Sequence, residues 1–195
     1  MSNNISFGSN INFVPCNIFL KNHLKGVYID YHNDFINTAN SPEFHTQDIA
    51  DCIAGGIIHP KKKNVGFHIT SAYRLKAPPF DILGQPDRAL LIGSKDSMFS
   101  RNSLANFKTM KEYLEKTVKH LSFFQEHKPI LSSSSIHYSD KDDTWTICTG
   151  YRLLSEIKSL NELLEVFRKV KISDGDRLFI NGKEVLPADC PEIFQ

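Results

Sequence analysis

The 195-residue chain has no excess of charge of either sign: 23 Lys and Arg stand against 22 Asp and Glu, for a net charge of +1. Phosphate neutralisation needs a concentrated basic face, so nucleic acid is not expected as its main partner. The one basic run, Lys61-Lys62-Lys63, falls in a predicted turn and reads as a solvated loop. Long hydrophobic runs are missing as well. The longest, Cys52 to Ile58, holds two glycines and is far too short to cross a bilayer, so no membrane span is expected. The opening MSNNISFGSN has no basic segment followed by an apolar stretch, so no secretory signal is expected. Cysteine is sparse: four residues without a CxxC pair make no disulfide framework and point to free thiols in a reducing compartment. The expected location is cytoplasmic, or a host cell reached by a signal-independent bacterial secretion route. HxxxH is also absent, so no metal site is expected, and His120 and His127 read as ordinary histidines. "LIGSKDS" lacks the upstream glycine of a phosphate loop. No cofactor is expected, and there is no internal repeat.

What is present is a succession of short strand-like segments. Ile18–Leu20 and Gly26–Tyr31 are β-branched and aromatic and read as strands, while residues 1–12 read as a loose polar tail. Asn37–Glu43 is turn chemistry. Ile53–Ile58 and Val65–Thr70 flank HPKKKN as a hairpin, and Arg88–Gly93 reads as a buried strand after a Pro/Gly loop. The period then changes. Leu104, Phe107, Met110, Leu114, Val118 and Leu121 recur at three and four, which predicts a helix over 103–121. His137–Tyr138 and Thr144–Thr149 flank SDKDD as a second hairpin. Ser159-Leu160-Asn161-Glu162 is a capping box, predicting a helix that runs on through Val170. Arg177–Ile180 and Lys183–Leu186 join at Asn181-Gly182, the strongest short hairpin signal. The sum is an α+β chain: a mainly antiparallel, sandwich-like β core with two packed helices. One domain spans 1–150, and 151–195 is a helix and hairpin extension packed on it.

The candidate chemistry lies between His45 and Arg74. Thr46, Cys52 and His68 are separated by six and then sixteen residues. If the first hairpin pairs Cys52 directly with His68, their Cβ atoms lie roughly 4.5–5.5 Å apart, close enough for imidazole to approach the thiol. A one-residue slip would put them on opposite faces. A free cysteine titrates near pH ~8.5, and a neighbouring imidazole can take its proton to leave a nucleophilic thiolate. Thr46 and Gln47 could orient the imidazole. Equally, Cys-Ile-Ala is good core sequence, and free cysteine is among the most buried residue types.

The pattern Thr46-x5-Cys52 followed by Gly66-Phe67-His68 resembles the chemoreceptor glutamine deamidases of the CheD family, whose Cys–His core also occurs in the cytotoxic necrotizing factor toxins. "ALLIGSKDSMFSRNSLANFKTMKEYLEK" (Ala89–Lys116) resembles the family's later block, with Arg101-Asn102 opening a helix, and "IHYSDKDDTWTIC" (Ile136–Cys148) its closing hairpin. Ala50-Asp51 stands where the family usually has Gly-Ser, and an acid beside a thiol is expected to raise its pKa. The resemblance implies a protein-glutamine glutaminase, with Cys52 as nucleophile, His68 as base and Thr46 assisting it. Neither metal nor cofactor is implied. The implied partner is a protein with an exposed glutamine, and the setting that of a bacterial effector acting on a host protein. Two other readings stand beside it. One is a papain-like hydrolase using Cys52, His137 and Asp140 or Asp142, although Gly55, Gly56 and Pro60 oppose the long helix that fold needs. The other is a non-catalytic interaction (adaptor) domain in which Cys52 is simply buried.

Overall fold

The computed structural model describes residues 5–7, 11–32, 34–81, 84, 86–93, 102–126, 132–152, 159–161, 177–186 and 188. Two sheets face each other. The first contains β1 (Ile5–Phe7), β2 (Ile11–Phe13), β3 (Val27–Tyr28), β5 (Glu43–Ile49), β10 (Ser132–Ser139) and β11 (Thr144–Arg152), in the order β1-β2-β11-β10-β5-β3. The second contains β4 (Ile36–Asn40), β6 (Ile53–Ile58), β7 (Val65–Ile69), β8 (Arg88–Gly93), β9 (His120–Gln125), β12 (Arg177–Ile180) and β13 (Lys183–Val185), in the order β13-β12-β9-β8-β6-β7-β4. Most pairings are antiparallel; β2–β11, β3–β5 and β8–β9 run parallel. Helices α1 (Cys16–Asn22) and α2 (Ser103–Thr117) complete an α+β fold with a β-rich core.

Strand alternation divides the apolar residues into layers. Phe13, Phe44, Ile136, Tyr138 and Ile147 of the first sheet pack against Ala54, Ile58, Leu90, Ile92 and Phe124 of the second. The residues between them in sequence, such as Ile53, Ile57, Phe67, Ile69 and Leu91, point the other way and meet Phe107, Met110 and Leu114 of α2. β6 is therefore buried on both faces, which accounts for the unbroken run IAGGII. A Cβ on Gly56 would come within 2.5 Å of Phe44 and 2.7 Å of Trp145, so the sheets approach closely only because that side chain is absent. On the far side of the first sheet, Cys16 and Phe19 of α1 cover Cys148.

Several expectations need correction. Ile18–Leu20 lies within α1 and is not a strand; Pro15 at its N-cap has a φ of −58°, suited to helix entry, and its carbonyl accepts from the Ile18 and Phe19 amides. The supposed loose tail supplies β1 and β2, because Ile11 and Phe13 bury fully beside β11. Asn37–Asn40 belongs to strand β4 and Glu43 opens β5, leaving only Ser41-Pro42 as the turn; as an edge strand, β4 tolerates polar side chains on its open face. Helix α2 ends at Thr117 rather than 121, since Leu121 reaches the same apolar cluster from β9. Most of the helix expected from Ser159 lies outside the described residues. The last hairpin turns at Asn181 (φ 49°) and Gly182 (φ 80°) and joins the second sheet through β9, with Leu178 in the core between the sheets.

Candidate functional site

His68 projects from β7 into the space between the sheets and is fully buried. Thr46 projects from β5 of the opposite sheet, its Oγ1 2.6 Å from His68 Nδ1. The same hydroxyl donates to the Ile29 carbonyl at 2.9 Å. A hydroxyl has one proton, and a carbonyl can only accept. Thr46 therefore accepts from His68, which places the ring proton on Nδ1 and leaves Nε2 with a bare lone pair. Nε2 is buried and has no hydrogen-bond partner. Tyr31 stacks on the imidazole at a centroid distance of 5.0 Å, and its hydroxyl donates to Asp48 at 2.9 Å.

Asp48 reaches Tyr31 because β5 bulges. Thr46 pairs with Ile136 but Ile49 pairs with Ser134, so three residue steps on β5 match two on β10. Asp48 takes a φ of 57°, a left-handed conformation uncommon outside glycine. Bulges of this kind re-aim side chains, often near functional sites. Here both Thr46 and Ile49 face the interior, while Asp48 turns towards Tyr31.

Cys52 directly precedes β6 and is 7% exposed. The anticipated direct pairing with His68 is not the observed register: His68 pairs with Ala54, Gly66 with Gly56 and Val65 with Ile57. Asn64 is drawn out of the strand, its side chain accepting from the His59 amide and donating to Asp140. The shift from the anticipated register is two residues, so the face is kept, and Cys52 lies diagonal to His68 on the interior side. Such diagonal neighbours are typically about 7–8 Å apart. The thiol makes a long 3.9 Å contact to Asp51 Oδ1, and the backbone amide of Ser71 works against the rise in its pKa. Ser71 Oγ donates to the other Asp51 oxygen at 2.7 Å, and Asn102 at the start of α2 donates to the Ser71 carbonyl at 2.8 Å. Gly93 lies against the Cys52 carbonyl, where a Cβ would come within 2.5 Å.

The electrostatics describe a neutral pair. Burial pushes the Cys52 thiol up to about 12, and Asp51 adds to the rise in the direction its sequence position implied. Burial lowers His68 to about 3. Tyr31 is held above the ordinary phenol range, first by burial and then by its bond to Asp48.

The structure thus joins Thr46 to His68 and sets Cys52 diagonal to His68 without a thiol–imidazole hydrogen bond. The papain-like trio is not assembled. His137 lies on β10 with Nε2 3.1 Å from Glu43 and its ring against His23, while Cys52 leads into a strand instead of a helix. Arg101 lies outside the described residues. Tyr31, Asp48 and Ser71 had no sequence signal: they come from loops and a bulge whose approach depends on long-range pairing.

No protein-family model matches the chain, and no curated protein matches it either. Among the described residues, no helix is long and apolar enough to cross a membrane, and no group of three or more His, Cys, Asp and Glu could hold a metal ion.

Proposed function

We propose that the chain is a cysteine-dependent hydrolase that converts a glutamine side chain of a protein substrate to glutamate. The observation that carries this reading is the Thr46–His68 hydrogen bond, because it leaves the free lone pair on Nε2 of a ring whose diagonal neighbour on the same face is Cys52. Cys52 is the nucleophile, His68 the base and Thr46 the residue that orients it. In the resting state both groups are neutral. As the carboxamide enters, the thiol turns from Asp51 towards Nε2 and gives up its proton. Sγ then bonds to the amide carbon. The imidazolium returns that proton to nitrogen, the C–N bond breaks and ammonia leaves a thioester. Water, deprotonated by Nε2, attacks the thioester, and the C–S bond breaks to give glutamate and the thiol. Burial opposes each charge alone, but a thiolate and an imidazolium formed together offset one another. A bacterial effector acting on a host protein is the setting proposed for this activity.

A second reading is supported by a specific observation. Cys52 is buried, its thiol is raised to about 12, and its polar side-chain contact is the long one to Asp51. A non-catalytic interaction domain with an inert core cysteine has those properties. The deciding experiment incubates the protein with a library of glutamine-containing peptides and measures released ammonia together with the Gln-to-Glu mass change. Deamidation is expected from the wild type and is lost in Cys52→Ala and His68→Ala. Ammonia release that survives Cys52→Ala overturns the assignment of the nucleophile. Absence of turnover across the library, with binding partners unaffected by Cys52→Ala, favours the interaction domain.

A further inference from the structure

A second polar site lies on the outer face of the first sheet, away from Thr46. Strand register places Asn12 of β2 beside Thr146 of β11, and Thr146 beside His137 of β10. The adjoining row on the same face is Thr144, Ser139 and Glu43. Directly opposed residues on neighbouring strands share a face, so these two rows form one continuous surface. His23, at the end of α1, lays its ring 5.5 Å from that of His137. These residues, with Lys25 and Asp142, line a cleft of about 370 Å³. That volume falls in the ligand-pocket range of roughly 300–1,000 Å³.

Two residues of this lining each carry a buried acceptor atom without a partner. Glu43 can only accept when ionised, so its 3.1 Å contact makes His137 Nε2 the protonated nitrogen. In the neutral ring, Nδ1 is then a bare acceptor. It is buried without a partner, on a residue only 3% exposed. Asn12 Oδ1 is a second buried acceptor without a partner. Leaving such atoms unpaired is unfavourable. Burial also lowers the pKa of His137, which favours the neutral ring.

We propose that this cleft binds a neutral polyhydroxylated ligand, a saccharide, whose hydroxyls donate to His137 Nδ1 and Asn12 Oδ1 and accept from Lys25. The lining selects this chemistry. Among the described residues it has no aliphatic wall for a lipid or acyl chain. Lys25 partly offsets Glu43 and Asp142, so neither a strong cation nor a strong anion is matched. A hydroxyl both donates and accepts: it can donate to the oxygens of Thr144 and Ser139, whose own protons go to Asp142, and can do either with Thr146. Both acceptor atoms are covered in the free protein, so reaching them takes a side-chain rearrangement of the kind common on binding. The site is on the opposite face of the sheet from Thr46 and stands whether or not Cys52 is catalytic.

The test is a backbone amide NMR titration of the full chain with D-glucose, D-galactose and D-mannose, with guanidinium chloride and sodium acetate as charged controls. At least one sugar is expected to shift the Asn12, His137 and Thr146 amides saturably, with a dissociation constant on the order of 1 mM. Thr146→Val and Ser139→Ala are expected to weaken that binding at least about tenfold. Ser139 is only half-buried, so its variant serves if Thr146→Val fails to fold. The proposal is overturned if no sugar shifts these amides, if guanidinium or acetate shifts them and the sugars do not, or if both folded variants keep wild-type affinity.

Discussion

Thr46 Oγ1 and His68 Nδ1 lie 2.6 Å apart although their strands belong to different sheets. The bond crosses the core between the sheets, where both residues are fully buried. Because Thr46 also donates to Ile29, it acts as an acceptor for His68 and determines which ring nitrogen carries the proton. The tautomer of one residue is thereby set by the docking of two sheets.

That assignment is directly observable. Imidazole nitrogen NMR is expected to show His68 protonated at Nδ1 and bare at Nε2 around neutral pH. Thr46→Val removes the acceptor and leaves the Nδ1 proton and the Ile29 carbonyl without this partner. Denaturant unfolding is expected to show a loss of about 1–3 kcal/mol, the usual cost of leaving buried polar groups unpaired. An unchanged tautomer and unchanged stability would refute the assigned role of Thr46.

The buried imidazole should also shape acid stability. His68 is lowered from the ordinary 6.5 to about 3, so the unfolded chain binds the extra proton between those values. Its contribution to stability is fully present above about pH 6.5 and falls as pH drops through the window towards 3. The slope from this one group is about 1.4 kcal/mol per pH unit. Stability curves of the wild type and His68→Gln should therefore differ in slope between those pH values. Parallel curves would show that His68 titrates normally in the folded state.

For Cys52 the expected reactivity runs in the opposite sense to that of an activated thiol. With its pKa pushed up to about 12, alkylation of the free protein should be slower than that of an ordinary cysteine at neutral pH and should keep rising beyond pH 9. Asp51→Asn removes the negative charge while keeping an acceptor for Ser71, and is expected to speed labelling of Cys52 at a fixed pH. Mass-spectrometric mapping of labelled cysteines measures both effects. Rapid labelling at low pH in the wild type would mean that the resting site already holds a thiolate.

The close approach of the sheets at Gly56 gives a packing prediction. Gly56→Ala would place a methyl within 2.5 Å of Phe44 and 2.7 Å of Trp145, both ring systems packed in the core. Overpacking of this kind typically costs about 1–3 kcal/mol. Chemical denaturation is expected to show a loss in that range, with a changed environment for Trp145, the chain's single tryptophan, in fluorescence.

Local chemistry made much of the scaffold legible in the sequence. The run IAGGII, the turn HPKKKN and the Asn181-Gly182 pair each encode their element within a few residues, and β6 and β8 lie where alternation and composition place them. The readings that failed are those in which distant partners outweigh local preference. Ile18–Leu20 has strand composition, yet α1 forms there because Phe19 and Cys16 find a surface on β11. Ile11 and Phe13 sit in a polar stretch that becomes strand through burial beside β11.

The candidate site divides along the same line. Cys52, His68 and Thr46 were legible as residue types at a suggestive spacing, and the period-two rule already implied that an even register would bring Cys52 and His68 to one face. The sequence by itself determined those identities and that parity, because both are properties of neighbouring residues along the chain. Tertiary structure decided the rest. It chose the register two residues away from direct pairing, drew Asp48 towards Tyr31 through the bulge, and brought Thr46 across from the other sheet. These contacts join residues far apart in sequence. Their stability depends on how two sheets pack together, which no short stretch of the chain encodes.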